Sequence, residues 1–494
     1  MTTSRSLGSR IGFGLMAVVL ALLVGAPSTV EAADSVKKLK KKALLLIQAG
    51  ETEEAISLVR EIGSSGDADA LEALFDLGLV SPSEDFYEAL VPELIRQEGA
   101  LAFLKEHGDK PKRGFQEQVY VVNVLGRINS DESRALVIGY LKEKNDFVQR
   151  EAVATLVKSQ HRDAITPLID LLEELSTQRH DILYHEVRDA LYELTGEDYD
   201  LIEDWRNWWE PKKATFDPKE AKKESDGTTG VRKKRRGEEP DFFGVPVNSK
   251  NVLFVIDTSG SMNLVEKGDI PGLTGVTGGD KGQVVQKPKE RMTPENERLA
   301  KFWSRMEMAK RELYKVVERL EKDALVNMMN FDNTTYVFNK KGARPAGSIR
   351  KKALKWVEAL RFRDGGATNT ADALRTAFEL DPKINTIYFL SDGVPQTNPP
   401  DNDPTQPILD MVFSLNKFRK IKIHTFGYSE VLYPYVKGKQ PIPDLEAANR
   451  FLKELAEKTG GTFTVLRVDP KRTPDNPNGD DEKGKKSWEP ATVF

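Results

Sequence analysis

Short oxygen-bearing side chains follow two apolar segments and precede one helical segment in the second half of this 494-residue chain. They are Asp257, Ser259, Ser261, Thr368 and Asp392. Hydroxyl and carboxylate oxygens without nitrogen or sulfur suit a hard divalent cation, Mg²⁺ first, with Mn²⁺ or Ca²⁺ as alternatives. In any one loop these residue types are ordinary caps and turns. Taken together, the three loops predict a metal site with one position open to an Asp or Glu carboxylate of a partner protein.

The elements that must position these side chains alternate between strand and helix. Asn251–Asp257 is a continuous apolar run of the kind that forms a strand buried on both faces. Later segments predict further strands, at 325–331, 384–390, 421–426 and 462–468, with an antiparallel edge strand at 334–338. Helical patterns separate them, at 305–320, 348–360, 370–380, 408–418 and 445–458. This order predicts a doubly wound, Rossmann-like α/β domain, in which the loops that follow the strands meet at one edge of the sheet.

The motifs resemble those of a von Willebrand factor type A (vWA) domain. They are Asp257-Thr-Ser-Gly-Ser261 after a buried strand, Gly365-Gly-Ala-Thr-Asn369, and Ser391-Asp-Gly393. The resemblance covers roughly half of the chain and includes the complete metal-ion-dependent adhesion site (MIDAS) of that family. It implies that Ser259, Ser261 and Thr368 bind the metal directly, while Asp257 and Asp392 act mainly through bound water. The loop before Thr368 is one residue longer than the commonest form in the family.

The first half of the chain is helical in pattern. The segments Gln118–Arg127, Arg150–Ser159 and Glu186–Gly196 look alike and recur every 30 to 40 residues or so, which is typical of stacked helical pairs. We therefore predict an all-α solenoid that resembles HEAT repeats, with an irregular helical bundle as the alternative. The segment Phe242–Val247, which follows this region, is similar to exported bacterial proteins of the same architecture.

Composition divides the chain into domains and indicates its cellular location. Arg5 and Arg10 precede a short apolar run that ends at small residues, which predicts a secretory signal peptide; an uncleaved membrane anchor is the alternative. The predicted divisions are a signal peptide (1–32), a helical domain (33–210), a charged linker (211–242), a vWA domain (243–468) with insertions at 263–303 and 429–444, and a disordered tail (469–494). The expected location is the bacterial envelope, as a periplasmic, cell-surface or secreted protein.

Charge and residue usage exclude several functions. With 73 Lys and Arg against 77 Asp and Glu, the net charge of -4 does not favour nucleic-acid binding. The absence of cysteine excludes disulfides and thiolate chemistry. No general base or Gly-x-Ser-x-Gly elbow stands out, so we expect a binding protein and not an enzyme. The alternatives are a structural envelope protein whose metal only orders loops and, third, a metal-dependent hydrolase. Contact with a membrane is expected only if the signal segment is retained, and the oligomeric state stays open.

Overall fold

The computed structural model describes residues 35–177, 181–220, 240–266, 284–285, 294–363, 367–396, 405–429, 431–434, 440–441 and 444–468. The predicted signal peptide and tail lie outside the described residues. So do 221–239 of the predicted linker and most of the two predicted insertions. Within the described ranges, no helix is both long and apolar enough to cross a membrane.

The first half of the described chain is entirely helical. Its α-helices are α1 (Val36–Ala49), α2 (Thr52–Ser64), α3 (Ala70–Leu79), α4 (Glu84–Ile95), α5 (Ala100–Asp109), α6 (Phe115–Ile128), α7 (Asp131–Tyr140), α8 (Asp146–Ser159), α9 (Ile165–Glu174), α10 (Ile182–Thr195) and α11 (Ile202–Trp209). Side-chain caps begin several of them; the Ser130 hydroxyl, for example, accepts from the Ser133 amide at 3.1 Å. The three look-alike segments form α6, α8 and α10. Because α6 packs against α8 and α8 against α10, one continuous apolar core runs through the region.

An aromatic cluster closes the end of this helical region. Trp205 and Trp209 of α11 are buried, and Trp208 lies between them on the same short helix. Phe216 packs edge-on against Trp208 and Trp209, with ring centroids 5.4 and 5.7 Å apart. The chain therefore stays packed on the helical region as far as Phe216, within the segment predicted as linker.

The second half of the described chain is built on a mixed sheet. Its strands are β1 (Asp241–Phe242), β2 (Val245–Pro246), β3 (Asn251–Asp257), β4 (Leu264–Glu266), β5 (Val284–Val285), β6 (Leu325–Phe331), β7 (Thr335–Val337), β8 (Arg344–Pro345), β9 (Thr386–Leu390), β10 (Lys422–Tyr428), β11 (Val431–Pro434), β12 (Gln440–Pro441) and β13 (Phe463–Leu466). The main sheet has the order β13-β10-β9-β3-β6-β7, with β8 also paired to β6. All neighbours are parallel except β7 and β8, which run antiparallel to β6.

Helices cover both faces of this sheet, as a doubly wound fold requires. They are α12 (Pro294–Phe302), α13 (Arg305–Arg319), α14 (Ala346–Ala359), α15 (Thr370–Leu380), α16 (Thr405–Asn416) and α17 (Leu445–Thr459). Alternate residues of β3 point to opposite faces: Phe254 and Ile256 pack with α13 and α14, whereas Leu253 and Val255 pack with α15, α16 and α17. Both faces of β3 are buried, which explains its continuous apolar sequence.

The two predicted insertions pair with each other. β4, in the first insertion, is antiparallel to β11 in the second, and β5 is likewise antiparallel to β12. The first insertion also contains α12, beside which Trp303 packs in a small apolar cluster with Val265 and Met308. This pairing was not predicted, because short strands that pair across more than 150 residues have no local sequence pattern.

The helical region contacts the sheet domain through ion pairs. Lys420, Lys422 and Lys458 of the sheet domain pair with Glu151, Glu186 and Glu84 of the helical region, at 2.6, 3.1 and 2.6 Å. Lys420 and Lys422 lie at the start of β10. The contact is therefore at the amino-terminal edge of the parallel strands, opposite the edge where Asp257 ends β3.

Candidate functional site

The five predicted site residues lie at the carboxyl-terminal edge of the sheet, where the strand order reverses. The chain goes from β3 to β6 on one side of β3 and later returns to β9 on the other side. Asp257 is the last residue of β3, and Asp392 is the second residue after β9. Because β3 and β9 are parallel neighbours, both carboxylates lie at the crevice where open α/β sheets bind their ligands.

Hydrogen bonds join the loop after β3 to the loop after β9. The Ser259 and Ser261 hydroxyls are 3.1 Å apart, and the Ser261 hydroxyl donates to Asp392 Oδ1 at 2.6 Å. The Ser391 hydroxyl donates to Asp257 Oδ2 at 2.6 Å. These five side chains, from two loops, form two hydrogen-bonded groups, and the bond from the Ser259 amide to Asp257 Oδ1 joins them.

Thr368 approaches the same set from a third loop. A Cβ atom built on Gly393, the neighbour of Asp392, would lie only 2.6 Å from Thr368 Oγ1. The carbonyl of Thr368 also accepts from the Gln396 amide at 2.9 Å, which ties this loop to the one after β9. Gly393 is therefore needed to let the Thr368 hydroxyl come close. The structure brings all five predicted residues together, while 364–366 of the Thr368 loop lie outside the described residues.

The loop after β3 is also fixed to the strand on its other side. The amide of Thr258 donates to the Phe331 carbonyl at 2.8 Å, and the Thr258 hydroxyl accepts from Asn330 Nδ2 at 3.0 Å. Asp257 holds its own loop, since its Oδ1 accepts from the Ser259 amide at 2.8 Å. These contacts hold the backbone of the loop that carries the Ser259 and Ser261 hydroxyls.

The two carboxylates differ in their electrostatic surroundings, although both are fully buried. Burial and the neighbouring charge of Asp392 raise the pKa of Asp257 to about 7, against the opposing effect of its bonds from Ser391 and Ser259. Asp392 has a cation beside it: Arg305 Nη1 donates to Asp392 Oδ2 at 2.8 Å, and both side chains are 0% exposed. A divalent cation near Asp257 would favour its ionised form.

The donor set fits a hard cation. Three hydroxyls and two carboxylates converge, and no group of three or more His, Cys, Asp or Glu side chains in the described ranges suggests a metal site of another kind. The buried polar side chains of Asn263 and Thr370, each two residues beyond a predicted ligand, have atoms without a hydrogen-bond partner. Such groups are usually satisfied by ordered water or an ion.

Two residues of the site were not predicted from the sequence. Ser391 belongs to the Ser391-Asp-Gly393 motif, but its bond to Asp257 depends on the register of β9 beside β3. Arg305 lies 44 positions beyond Ser261, across the first insertion. A sign of its role was available: Arg305 shares the apolar stripe of α13 with Ala309 and Leu313, where a cation is expected only if it has a buried partner.

A cavity of about 630 Å³ lies elsewhere, between the helical region and the sheet domain. Its lining includes Arg150, Glu186, Lys420 and Lys458, and it includes none of the five site residues. This cavity belongs to the contact between the two halves of the chain and not to the crevice at the sheet edge.

Comparison with known proteins supports a vWA-like fold for the second half of the chain. No family model matches the sequence. The human von Willebrand factor A domain-containing protein 3B is 29% identical over 163 residues, which cover 32% of this chain and 10% of that protein. This chain therefore matches only a small part of its human relative.

Several solved structures are also similar, at low scores. A von Willebrand factor type A protein from Catenulispora acidiphila shares 18% identity, with coverage of 44% of this chain and 39% of that chain and a TM-score of 0.28. BatB from Bacteroides thetaiotaomicron shares 15% identity, with coverage of 44% and 90% and a TM-score of 0.28. The PilB minor pilin from Streptococcus sanguinis shares 14%, with coverage of 44% and 56% and a TM-score of 0.27.

Proposed function

We propose that this chain is an exported, metal-dependent protein-binding module. Mg²⁺, with Mn²⁺ or Ca²⁺ as alternatives, would be held at a MIDAS formed by Asp257, Ser259, Ser261, Thr368 and Asp392. The cation would capture an Asp or Glu carboxylate of a partner protein. The observation that carries the proposal is the convergence of these five side chains, from three loops, at the switch point between β3 and β9.

The chemistry of the site supports binding more than catalysis. Neutral hydroxyls close to a divalent cation leave much of its charge uncompensated, and a carboxylate from outside would form a strong charge-assisted bond with it. Among the described residues that form hydrogen bonds with the side chains of the five site residues, none is a His. The similarity of the sheet domain to a vWA domain-containing protein agrees with a protein-interaction role.

A purely structural role for the metal is less well supported. The loop contacts described above join Ser259, Ser261 and Asp392 through the protein's own hydrogen bonds, which supports a site that is assembled before a cation binds. A site that is assembled in advance is suited to binding a cation and then a ligand.

The helical region would act as the support and second surface of the module. We propose a HEAT-like stack whose one flank is covered by the sheet domain, through the pairs of Glu84, Glu151 and Glu186 with lysines. The remaining flank would be available to a partner. A bacterial envelope location, after removal of a signal peptide, is part of the same proposal.

The test is affinity capture from an envelope extract with Mg²⁺ or with excess chelator. The wild-type protein should retain a set of partners only with Mg²⁺, and Asp257→Ala should lose them. Asp323→Ala, which removes an exposed carboxylate paired with Lys250, is the matched control and should behave as wild type. If Asp257→Ala captures the same partners in chelator, capture through a metal is refuted. If chelation abolishes folding of the wild type, the structural alternative is favoured.

A further inference from the structure

The buried cation at the proposed metal site is the side chain of Arg305. It is the first residue of α13, after Ser304, whose hydroxyl accepts from the Glu307 amide at 3.4 Å. The guanidinium donates to Asp392 Oδ2 and lies 4.7 Å from the ring centroid of Tyr428. The Tyr428 hydroxyl in turn donates to the Arg305 carbonyl at 3.2 Å. Asp392 and the Tyr428 ring therefore hold the guanidinium, while the Tyr428 hydroxyl holds the backbone of the same residue.

The two carboxylate oxygens of Asp392 have different hydrogen-bond partners. Oδ2 accepts from the guanidinium, and Oδ1 accepts from Ser261. Asp392 therefore presents only Oδ1 towards the predicted metal ligands. Asp257, in contrast, is bonded by a hydroxyl and an amide, and none of the ion pairs between described residues includes it.

The guanidinium changes the charge that an approaching anion meets. A bound divalent cation favours the ionised form of both carboxylates, and the two aspartates, the guanidinium and the cation then give the loaded site a charge of plus one. Without Arg305 the loaded site would be neutral. A unit charge buried a few ångströms away acts strongly, because little water screens it.

We propose that Arg305 is a positioning residue that sets this charge, and so makes the loaded site selective for an anionic partner at a cost in cation affinity. The inference rests on the function proposed above. Removing the charge should raise the affinity for the cation and lower the affinity for the anion. A residue that only supported the fold would not shift these two affinities in opposite directions.

The experiment compares Arg305→Gln, which keeps a hydrogen-bond donor but no charge, with Arg305→Lys, which keeps the charge. Mn²⁺ affinity is measured by electron paramagnetic resonance of free Mn²⁺. Anion affinity is measured by titrating the Mn²⁺-loaded protein with glutarate and following the relaxation of the glutarate protons. Arg188→Met, which breaks the buried Arg188–Asp198 pair of the helical region, is the control for loss of a buried arginine.

We expect Arg305→Gln to bind Mn²⁺ more tightly and glutarate more weakly, each on the order of tenfold. Arg305→Lys should stay near wild type in both, and so should Arg188→Met. Melting in Mn²⁺ and in chelator gives a second readout: Arg305→Gln should gain more from Mn²⁺ than the wild type, because its Asp392 lacks a counter-charge.

Three results would overturn the inference or its basis, and they can be told apart. If both affinities of Arg305→Gln fall together, Arg305 is only a support of the fold. If neither changes, the guanidinium does not set the charge of the site. If the wild-type protein itself binds no Mn²⁺, the proposed function fails and this inference with it.

Discussion

Replacing Gly393 with alanine is a sharp test of the proposed site, because it acts on one ligand by geometry alone. The added Cβ would lie 2.6 Å from Thr368 Oγ1, and 3.3 and 3.4 Å from the Cβ and Cγ2 of the same residue. Carbon atoms in contact are normally about 3.5–4.0 Å apart, so the Thr368 side chain must move away. Thr368 is buried and β-branched, and it has few other conformations to adopt.

The size of the effect follows from the two roles of Thr368. As packing, a forced shift in a buried site costs about 1–3 kcal/mol of the free energy of unfolding. Displacing the Thr368 hydroxyl should affect metal binding more strongly than stability, because Mg²⁺ requires near-ideal geometry of its ligands. Loss of ligand orientation typically lowers metal affinity about 10- to 100-fold. We therefore expect Gly393→Ala to remain folded and to lose most of its affinity for Mn²⁺.

The assay is Mn²⁺ binding together with thermal unfolding in chelator, and Gly139→Ala is its matched control. Gly139 is an exposed residue near the end of α7, where an added Cβ meets nothing within 4 Å. The control should bind Mn²⁺ as the wild type does and should gain roughly 0.5–1 kcal/mol in stability. Wild-type Mn²⁺ affinity in a folded Gly393→Ala protein would show that Thr368 does not bind the metal.

Two further predictions concern the contact between the helical region and the sheet domain. Burial raises the pKa of Glu186, but the positive charges of Arg150 and Lys422 have the larger combined effect and lower this pKa to about 2. The substitution Glu186→Gln therefore leaves both cations without their anion. We expect the free energy of unfolding, measured by chemical denaturation, to fall by roughly 3–5 kcal/mol. Glu173→Gln, which affects an exposed ion pair, should lower it by no more than about 1 kcal/mol. Equal decreases in the two variants would contradict the burial argument. Burial lowers the pKa of Lys417 from 10.5 to about 7, so between these pH values the unfolded chain binds the extra proton and stability rises with pH. Lys417→Met should flatten that rise in a series of thermal melts, and an unchanged slope would refute this origin.

The sheet could be predicted from the sequence because its strands are buried on both faces. β3 and β6 have the bounds expected from their apolar runs. The antiparallel partner of β6, predicted at 334–338, is observed at Thr335–Val337. A strand that is buried on both faces is recognisable from its continuous run of apolar residues. The predicted starts of β9 and β10 differ from the observed ones by one or two residues, because the apolar pattern extends into the preceding loop.

The site was predictable to the extent that it follows from strand ends. Asp257 and Asp392 come at the ends of β3 and β9, and topology brings such ends together. Arg305 was missed because its partner lies 87 residues away, and no spacing rule connects a helix start to a carboxylate after a distant strand. The glycine at 393 appeared only as part of a motif; its closeness to Thr368 depends on how two loops pack.

The contact between the two halves could not be predicted for a different reason. Lys420, Lys422 and Lys458 look like an ordinary solvated surface in the sequence, since lysines are frequent throughout the chain. Only the folded chain shows that each faces a glutamate of α4, α8 or α10. Charge pairs between domains carry no periodic signature, unlike the apolar faces of helices and strands.

The helical region and the proposed metal site lie at opposite edges of the main sheet. The helical region contacts the start of β10, whereas the proposed metal site lies at the ends of β3 and β9. The insertion strands β4 and β11 pair beyond the carboxyl ends of β3 and β10, on the side of the metal site. A partner that binds at the proposed metal site would therefore approach the edge opposite the helical region. Because the ion pairs at one edge and the oxygen ligands at the other share no residue, substitutions at Glu186 and Gly393 should have additive effects on stability.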